Sequence, residues 1–408
     1  MKLWSSPLAP FKVRSFRYQW PADLLMAWAW DMESLILAWF VLVETQSVLF
    51  LTLFGALQFV GTLIAPFAGV LGDRWGRRNT LCLIRGFMAA MAAIILVMAF
   101  TGVLRPAYVL PMAFLTGLVR PSDLSMRNAL IGDTMAPGLL MGALGLSRMT
   151  QDSSRIVGAL AGASLMTALG IGPAYVVVTI FYLASLALTR RVSHVPAPDA
   201  PKPDAVPLSM MAQQWKDLRE GLSYAWATPA LVGLMLIAFL LNFSAFPLSH
   251  HLMPYVAKEI YHQDAQGLAH MVATFACGAL IGSLFMTVMA GERSARFMLV
   301  SVAGWYAIIG IFAWLDDKLV GMAVLFVMGF VHNLAMVSLS GVLLRGVAAR
   351  FRARVMGIRT LVVYGLPIGL LLAGYGIEQI GYPMTASIYV VVGIAATAAI
   401  GWRYLWRS

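Results

Sequence analysis

Gly69-Val70-Leu71-Gly72-Asp73-Arg74-Trp75-Gly76-Arg77-Arg78, lying between two long apolar runs, decides the fold. One acid, three arginines and three glycines within ten residues cannot sit in hydrocarbon, so the stretch must be a tight aqueous turn joining two membrane-spanning helices. The rest of the 408-residue chain extends that reading: it is 60% hydrophobic and only 12% charged, about half the charged fraction of a soluble domain. Its mean hydropathy is +0.80.

A spanning helix takes about 20 residues, and Gly, Pro and charge punctuate the hydropathy into twelve expected spans. They lie near 22–44, 48–69, 80–101, 108–130, 142–168, 173–190, 222–248, 267–290, 297–315, 319–345, 357–377 and 383–404. The N-terminal stretch is mixed and basic without a small-residue cleavage site, so the first run is expected to stay as helix 1. Lys and Arg crowd the links on one face, while the other face holds only Arg105, Lys258 and Lys318, which predicts cytoplasmic termini. The same bias accounts for the net charge of +11 without a nucleic-acid partner. Five prolines between Arg190 and Glu220 exclude a regular helix there and divide the chain into bundles at residues 1–190 and 222–408, joined by a cytoplasmic linker at 191–221. Cys82 and Cys277 fall in different halves, so neither a disulfide framework nor a metal site is expected.

The loop matches G-x-L-x-D-R-x-G-R-R, apart from Gly72 where a residue such as Ala is usual, and so resembles the signature loop of the major facilitator superfamily. Three further stretches resemble the bacterial exporter branch that includes enterobactin and macrolide efflux proteins. They are Trp39 to Ser47, Arg127-Asn128-Ala129-Leu130-Ile131-Gly132-Asp133, and Arg352 to Gly357 followed by Pro367-Ile368-Gly369. The resemblance implies an all-α membrane fold of twelve helices in two six-helix bundles rocking about a central cavity, usually as a monomer, in a bacterial inner (plasma) membrane. It implies a latch in which Gly69, Gly72, Asp73, Arg74, Gly76, Arg77 and Arg78 close the cytoplasmic side, with Arg127 and Asp133 as ion-pair partners. The alternative is a topology signal with Asp73 merely solvated. Helix 5 keeps Gly158 and Gly162 but lacks the proline and last glycine of the antiporter element G-x-x-x-G-P-x-x-G-G.

Charges inside the first half are the candidate coupling site. Helix 4 carries Arg120, Asp123 and Arg127, and helix 5 carries Arg148, Asp152 and Arg155, each set aligned on one face. At about 1.5 Å per residue, Arg120 shares a depth with Asp152 and Asp123 with Arg148, which predicts those two cross-pairs and leaves Arg155 over. Helix 1 supplies Asp31 and Glu33 with no basic residue in their span. A charged acid there is costly without a partner, so either is a candidate proton carrier. Residues two apart point to different sides of a helix, so only one is expected on the cavity. The second half offers Asn242, His332, Asn333 and Tyr364 amid aromatic and Met residues. One ionic and one apolar wall suit an amphipathic organic molecule. His250, His251, His262 and His270 match no ligand spacing and are expected in a solvated outer loop.

No nucleotide-binding loop of the form G-x-x-x-x-G-K-[ST] occurs, and no nucleophile with its base lies at membrane depth, so neither direct ATP use nor an enzyme is expected, and no cofactor is called for. The expectation is a secondary transporter exchanging protons for an amphipathic small molecule such as a drug, siderophore or metabolite. A proton-coupled nutrient importer and a non-transporting sensor or assembly factor on the same fold remain open.

Overall fold

Helix caps and breakers set the elements. A computed structural model describes residues 8–63, 75–193, 219–220, 222–224, 226–288, 294–345, 347 and 362–405. Helix α1 (Arg14–Thr45) runs 32 residues, about 48 Å, so it overshoots a hydrocarbon core of roughly 30 Å; its first turns carry exposed Arg14 and Arg17. It ends at Gln46, whose φ of 52° stops the helix, and Ser47 caps α2 (Val48–Leu57) by accepting from the Phe50 amide. Gly76, at φ 83°, opens α3 (Arg77–Phe100). Proline at the first helical position opens α4 (Pro106–Thr134) and α5 (Pro137–Leu169). Gly170, at φ 87°, turns the chain into α6 (Ile171–Arg190).

The second part of the chain contributes α7 (Pro229–Ile260), α8 (Ala265–Val288), α9 (Ala295–Ala313), α10 (Lys318–Arg345), α11 (Val362–Ile380) and α12 (Tyr382–Leu405). Helix α7 is widened by π-helical turns at Leu241–Ala245, Pro247–His251 and Val256–Ile260. Pro247 and Pro254 have no amide hydrogen to donate, so the ladder slips there, and the Leu252 amide reaches the Pro247 carbonyl at 3.0 Å. The span expected at 222–248 therefore extends to Ile260 and takes His250 and His251 into the helix, out of the solvated loop expected for them.

Among the described residues, nine helices are long and apolar enough to cross a membrane. Helices α4 and α5 are 29 and 33 residues long but are not among the nine, because each carries three charges within two turns. The chain forms two units: α1 to Glu44 with α3–α6 in the first, and α2 with α7–α12 in the second. In the first, α3 packs on α6 and α4; in the second, α8 packs on α10 and α11 on α2. A Cβ at Gly278 would collide with the Phe326 carbonyl and one at Gly329 with the Phe275 carbonyl, so these glycines let α8 and α10 touch backbone to backbone.

Candidate functional site

Each helix of the first unit brings polar groups to its interior, at two levels along α1. The inner level is a closed ion network. Arg85 of α3, fully buried, donates to Asp23 of α1 through one terminal nitrogen and to Thr189 Oγ1 of α6 at 2.6 Å through the other. Its Nε meets Asp123 Oδ1 of α4 at 3.2 Å. Arg127 lies one helical turn beyond Asp123, with Nε 3.9 Å from the second Asp23 oxygen. Gln19, one turn before Asp23, donates to the Arg127 carbonyl at 3.0 Å. Two carboxylates and two guanidiniums thus balance each other in a dry interior, where an unmatched charge is untenable.

The second level lies about two turns, roughly 12 Å, further along α1. Asp31 is half-buried and accepts a 2.5 Å hydrogen bond from Ser154 Oγ of α5. Arg120 and Arg155 are close enough to act on its charge. The Arg120 guanidinium lies 3.9 Å from the ring centre of Trp30, which stabilises a cation whose hydration is restricted. Arg155 is exposed. Close packing makes this geometry: a Cβ on Gly158 would lie 2.7 Å from the Asp31 Cβ, and one on Gly162 3.1 Å from the Met32 Cα. The two glycines thus seat α1 against α5.

Glu33 sits apart. It is buried between two tyrosines of α6, accepting from the Tyr182 hydroxyl at 2.7 Å and from the Tyr175 hydroxyl at 3.4 Å. Two residues apart on α1, Asp31 and Glu33 thus meet different helices, α5 and α6.

At the start of α3, Arg77 donates to Asp133 Oδ1 at 2.5 Å and to the Ala129 carbonyl at 3.1 Å, joining the loop's end to the end of α4. Gly69, Gly72, Asp73 and Arg74 lie outside the described residues. In the second unit, Asn242 donates to its own helix at the Ala238 carbonyl, 2.8 Å away. Asn333 packs against Gly282 of α8, Tyr364 is half-buried in the tight first turn of α11, and His332 is buried among aromatic rings.

The family model of the Major Facilitator Superfamily matches residues 20–371. The chain belongs to that superfamily. Membership makes it a multi-pass membrane protein and a secondary transporter rather than an enzyme, and superfamily members carry small-molecule substrates across a lipid bilayer. No curated protein sequence matches the chain significantly. Solved structures share the fold. The human organic anion transporter MFSD10 (TETRAN) is 16% identical, with a TM-score of 0.65 over 95% of this chain and 99% of its own. The POT family transporter PepTSo is 12% identical, with 0.70 over 96% and 97%. A bacterial homologue of the human lysosomal transporter Spinster is 14% identical, with 0.69 over 97% of each chain.

Within this superfamily fold, the two cross-pairs expected from depth, Asp123 with Arg148 and Arg120 with Asp152, fare differently: Asp123 has another partner, and the second pair lies outside what the structure describes. The ion pair that Asp123 makes is with Arg85, where Arg148 was expected; Arg148 is exposed. Arg120 rests on Trp30, and the side chain of Asp152 is outside what the structure describes. Arg127, expected at the gate, turns inward to Asp23. Asp23 and Arg85 were missed. Their signal was available, since each is an ionisable residue inside an apolar run, but a single charge near a span's end reads as topology.

Proposed function

We propose that this chain is a proton-coupled exporter of amphipathic small molecules, working by alternating access in a bacterial inner membrane. By chain order its twelve helices divide into two six-helix domains, residues 1–190 and 222–408, although α2 packs with the second unit, with a linker at 191–221, cytoplasmic termini and a monomeric state. Asp31 is the coupling acid. The observation that carries the reading is its setting: a half-buried carboxylate on α1, held by Ser154 and within the field of Arg120 and Arg155. Gaining or losing one proton there changes the charge balance of the whole level at little structural cost.

Protonation of Asp31 from outside releases the cargo outward, and loss of that proton inward resets the site. Arg120 and Arg155 sense the change, with Asp152 and Asp123 on the same two helices. Glu33, enclosed by Tyr175 and Tyr182, positions α1 against α6. The loop from Gly69 to Arg78 closes the cytoplasmic side, and the Arg77–Asp133 pair supports that role for its described end. Asn242, His332, Asn333 and Tyr364 belong to the apolar wall that meets the cargo.

Flux of lipophilic dyes into everted vesicles, with and without an imposed pH gradient, tests this. Asp31→Asn should lose gradient-driven flux, and Glu33→Gln should keep it. Undiminished gradient-driven flux in Asp31→Asn would sink the assignment. A wild type indifferent to the gradient would sink proton coupling altogether.

A further inference from the structure

Helix α2 is a short rod between two backbone breaks. It follows Gln46, a non-glycine residue at φ 52°. After Leu57 the chain tightens: the Phe59 amide reaches back three residues to the Ala56 carbonyl at 3.1 Å, and a 3-10 turn follows at Val60–Leu63. These breaks coincide with the places where the chain changes unit, since residues up to Glu44 and from Val60 onward belong to the first unit and Thr45–Phe59 to the second. Glycines fit each piece to its own unit. A Cβ on Gly374 of α11 would collide with Thr52 Oγ1 of α2, and one on Gly55 would lie 3.3 Å from Leu370. Beyond the second break, a Cβ on Gly61 would overlap the Gly117 carbonyl of α4.

The first turn of α2 is clasped from two sides. Glu378, in the last turn of α11, accepts the Ser47 hydroxyl at 2.9 Å and the Leu49 amide at 3.4 Å, both through Oε1. Lys258 of α7 donates to Gln46 Oε1 and to Glu259 Oε1, each at 2.6 Å. A carboxylate in the last turn of a helix is repelled by the negative end of its own dipole, whereas the first turn of a neighbouring helix attracts it. Glu378 is therefore stabilising only while α2 lies on α11.

We propose that Val48–Leu57 is a clasped gate segment: Glu378 holds it on α11 in this conformation, and release of that contact lets it swing on Gln46 and on Gln58–Phe59, independently of the rest of the first six-helix domain. Placing the segment at the outer face, and making its swing a step of alternating access, rests on the transport reading above. Its ten residues span about 15 Å, half of a hydrocarbon core of roughly 30 Å. The moving part thus covers only the outer half of the membrane, while the contact at Gly61 keeps the following turn on α4. A non-glycine residue in the left-handed region costs energy that persists where a switch uses it, and Gln46 stands at one end of the segment. Were α2 to move as one body with α3–α6, neither break would be needed.

Distances between paired spin labels in the purified full chain test this without flux, so its failure is distinguishable from failure of the export reading. With Cys82 and Cys277 replaced by serine, labels go on cysteines placed at exposed positions: Phe50 of α2, Tyr375 of α11, Val97 of α3 and Ile180 of α6. The Phe50 to Tyr375 pair should give mainly one short distance. Glu378→Gln keeps an acceptor but removes the charge, and should raise the ratio of a longer distance to the short one by about two- to fivefold; Ser47→Ala should act in the same direction. As the longer distance grows, the Phe50 to Val97 distance should change, and the Val97 to Ile180 distance should not. A Glu378→Gln distribution equal to that of the wild type would overturn the clasp. A Phe50 to Val97 distance that stays constant while Phe50 leaves Tyr375 would overturn the hinge, because α2 would then travel with α3 as one body. Both responses in a chain without gradient-driven flux would support the clasp and count only against the export reading.

Discussion

Replacing Arg85 by Met tests the inner ion network. The wild-type level holds Asp23 and Asp123 against Arg85 and Arg127, a neutral set. Arg85→Met fills a similar volume but leaves one net negative charge in a dry interior. Asp23 loses its nearer guanidinium and keeps only Arg127 at 3.9 Å, Asp123 loses the guanidinium at 3.2 Å, and Thr189 loses its donor. Breaking a buried pair this way typically costs about 3–5 kcal/mol. At roughly 2–4 °C per kcal/mol for a domain of 150–250 residues, the melting midpoint in detergent should fall by about 6–20 °C. The double variant Arg85→Met/Asp123→Asn restores neutrality. Because replacing a whole buried pair by neutral groups is often close to cost-free, it should recover at least half of the loss. If the single variant melts within about 1 °C of wild type, or the double variant is no better than the single, charge balance is not what holds this level together.

Three further outcomes follow from the same geometry. Gly158→Leu forces α1 away from α5, because even its Cβ would lie 2.7 Å from that of Asp31; a cost of about 1–3 kcal/mol is expected, and thermal melts equal to wild type would show the helices are not held there. Tyr182→Phe removes the shorter donor to Glu33 and should destabilise by about 1–3 kcal/mol, largely relieved by Glu33→Gln in the same chain; an equal loss in the double variant would argue against the tyrosine–carboxylate contact. Arg77→Ala should change flux more than stability, since Arg77 and Asp133 are 29% and 26% exposed and such pairs are worth at most about 1 kcal/mol; wild-type flux in that variant would remove the pair from the gate.

Hydropathy and charge placement carried most of the fold, because a bilayer allows a spanning chain little besides helices. The exception is α7, where the expected span stopped at 248 and the helix continues through slipped turns to Ile260. For the site, the shared face of Arg120, Asp123 and Arg127 was legible from spacing, and the level of each from rise per residue. Azimuth was not: depth says which residues can meet, while packing says which do. Among the described residues, α4 meets α1, where Arg127 lies near Asp23 and, two turns further along, Arg120 meets Trp30. These matched intervals are those of two antiparallel helices, a relation that sequence neighbours cannot disclose.

The two levels also differ in what they can do. At the inner one, every carboxylate is tied to a guanidinium, and Arg85 is satisfied by three helices at once, so a change of proton occupancy would break the packing of the unit. At the outer one, Asp31 is half-buried, its hydrogen bond among the described residues comes from a hydroxyl that can equally accept, and Arg155 is exposed. When Asp31 gains a proton, Ser154 can reverse the direction of its bond without moving, and Arg120 keeps the Trp30 face as its support. The inner network thereby fixes α1, α3, α4 and α6 as a frame, and the outer level can cycle within it.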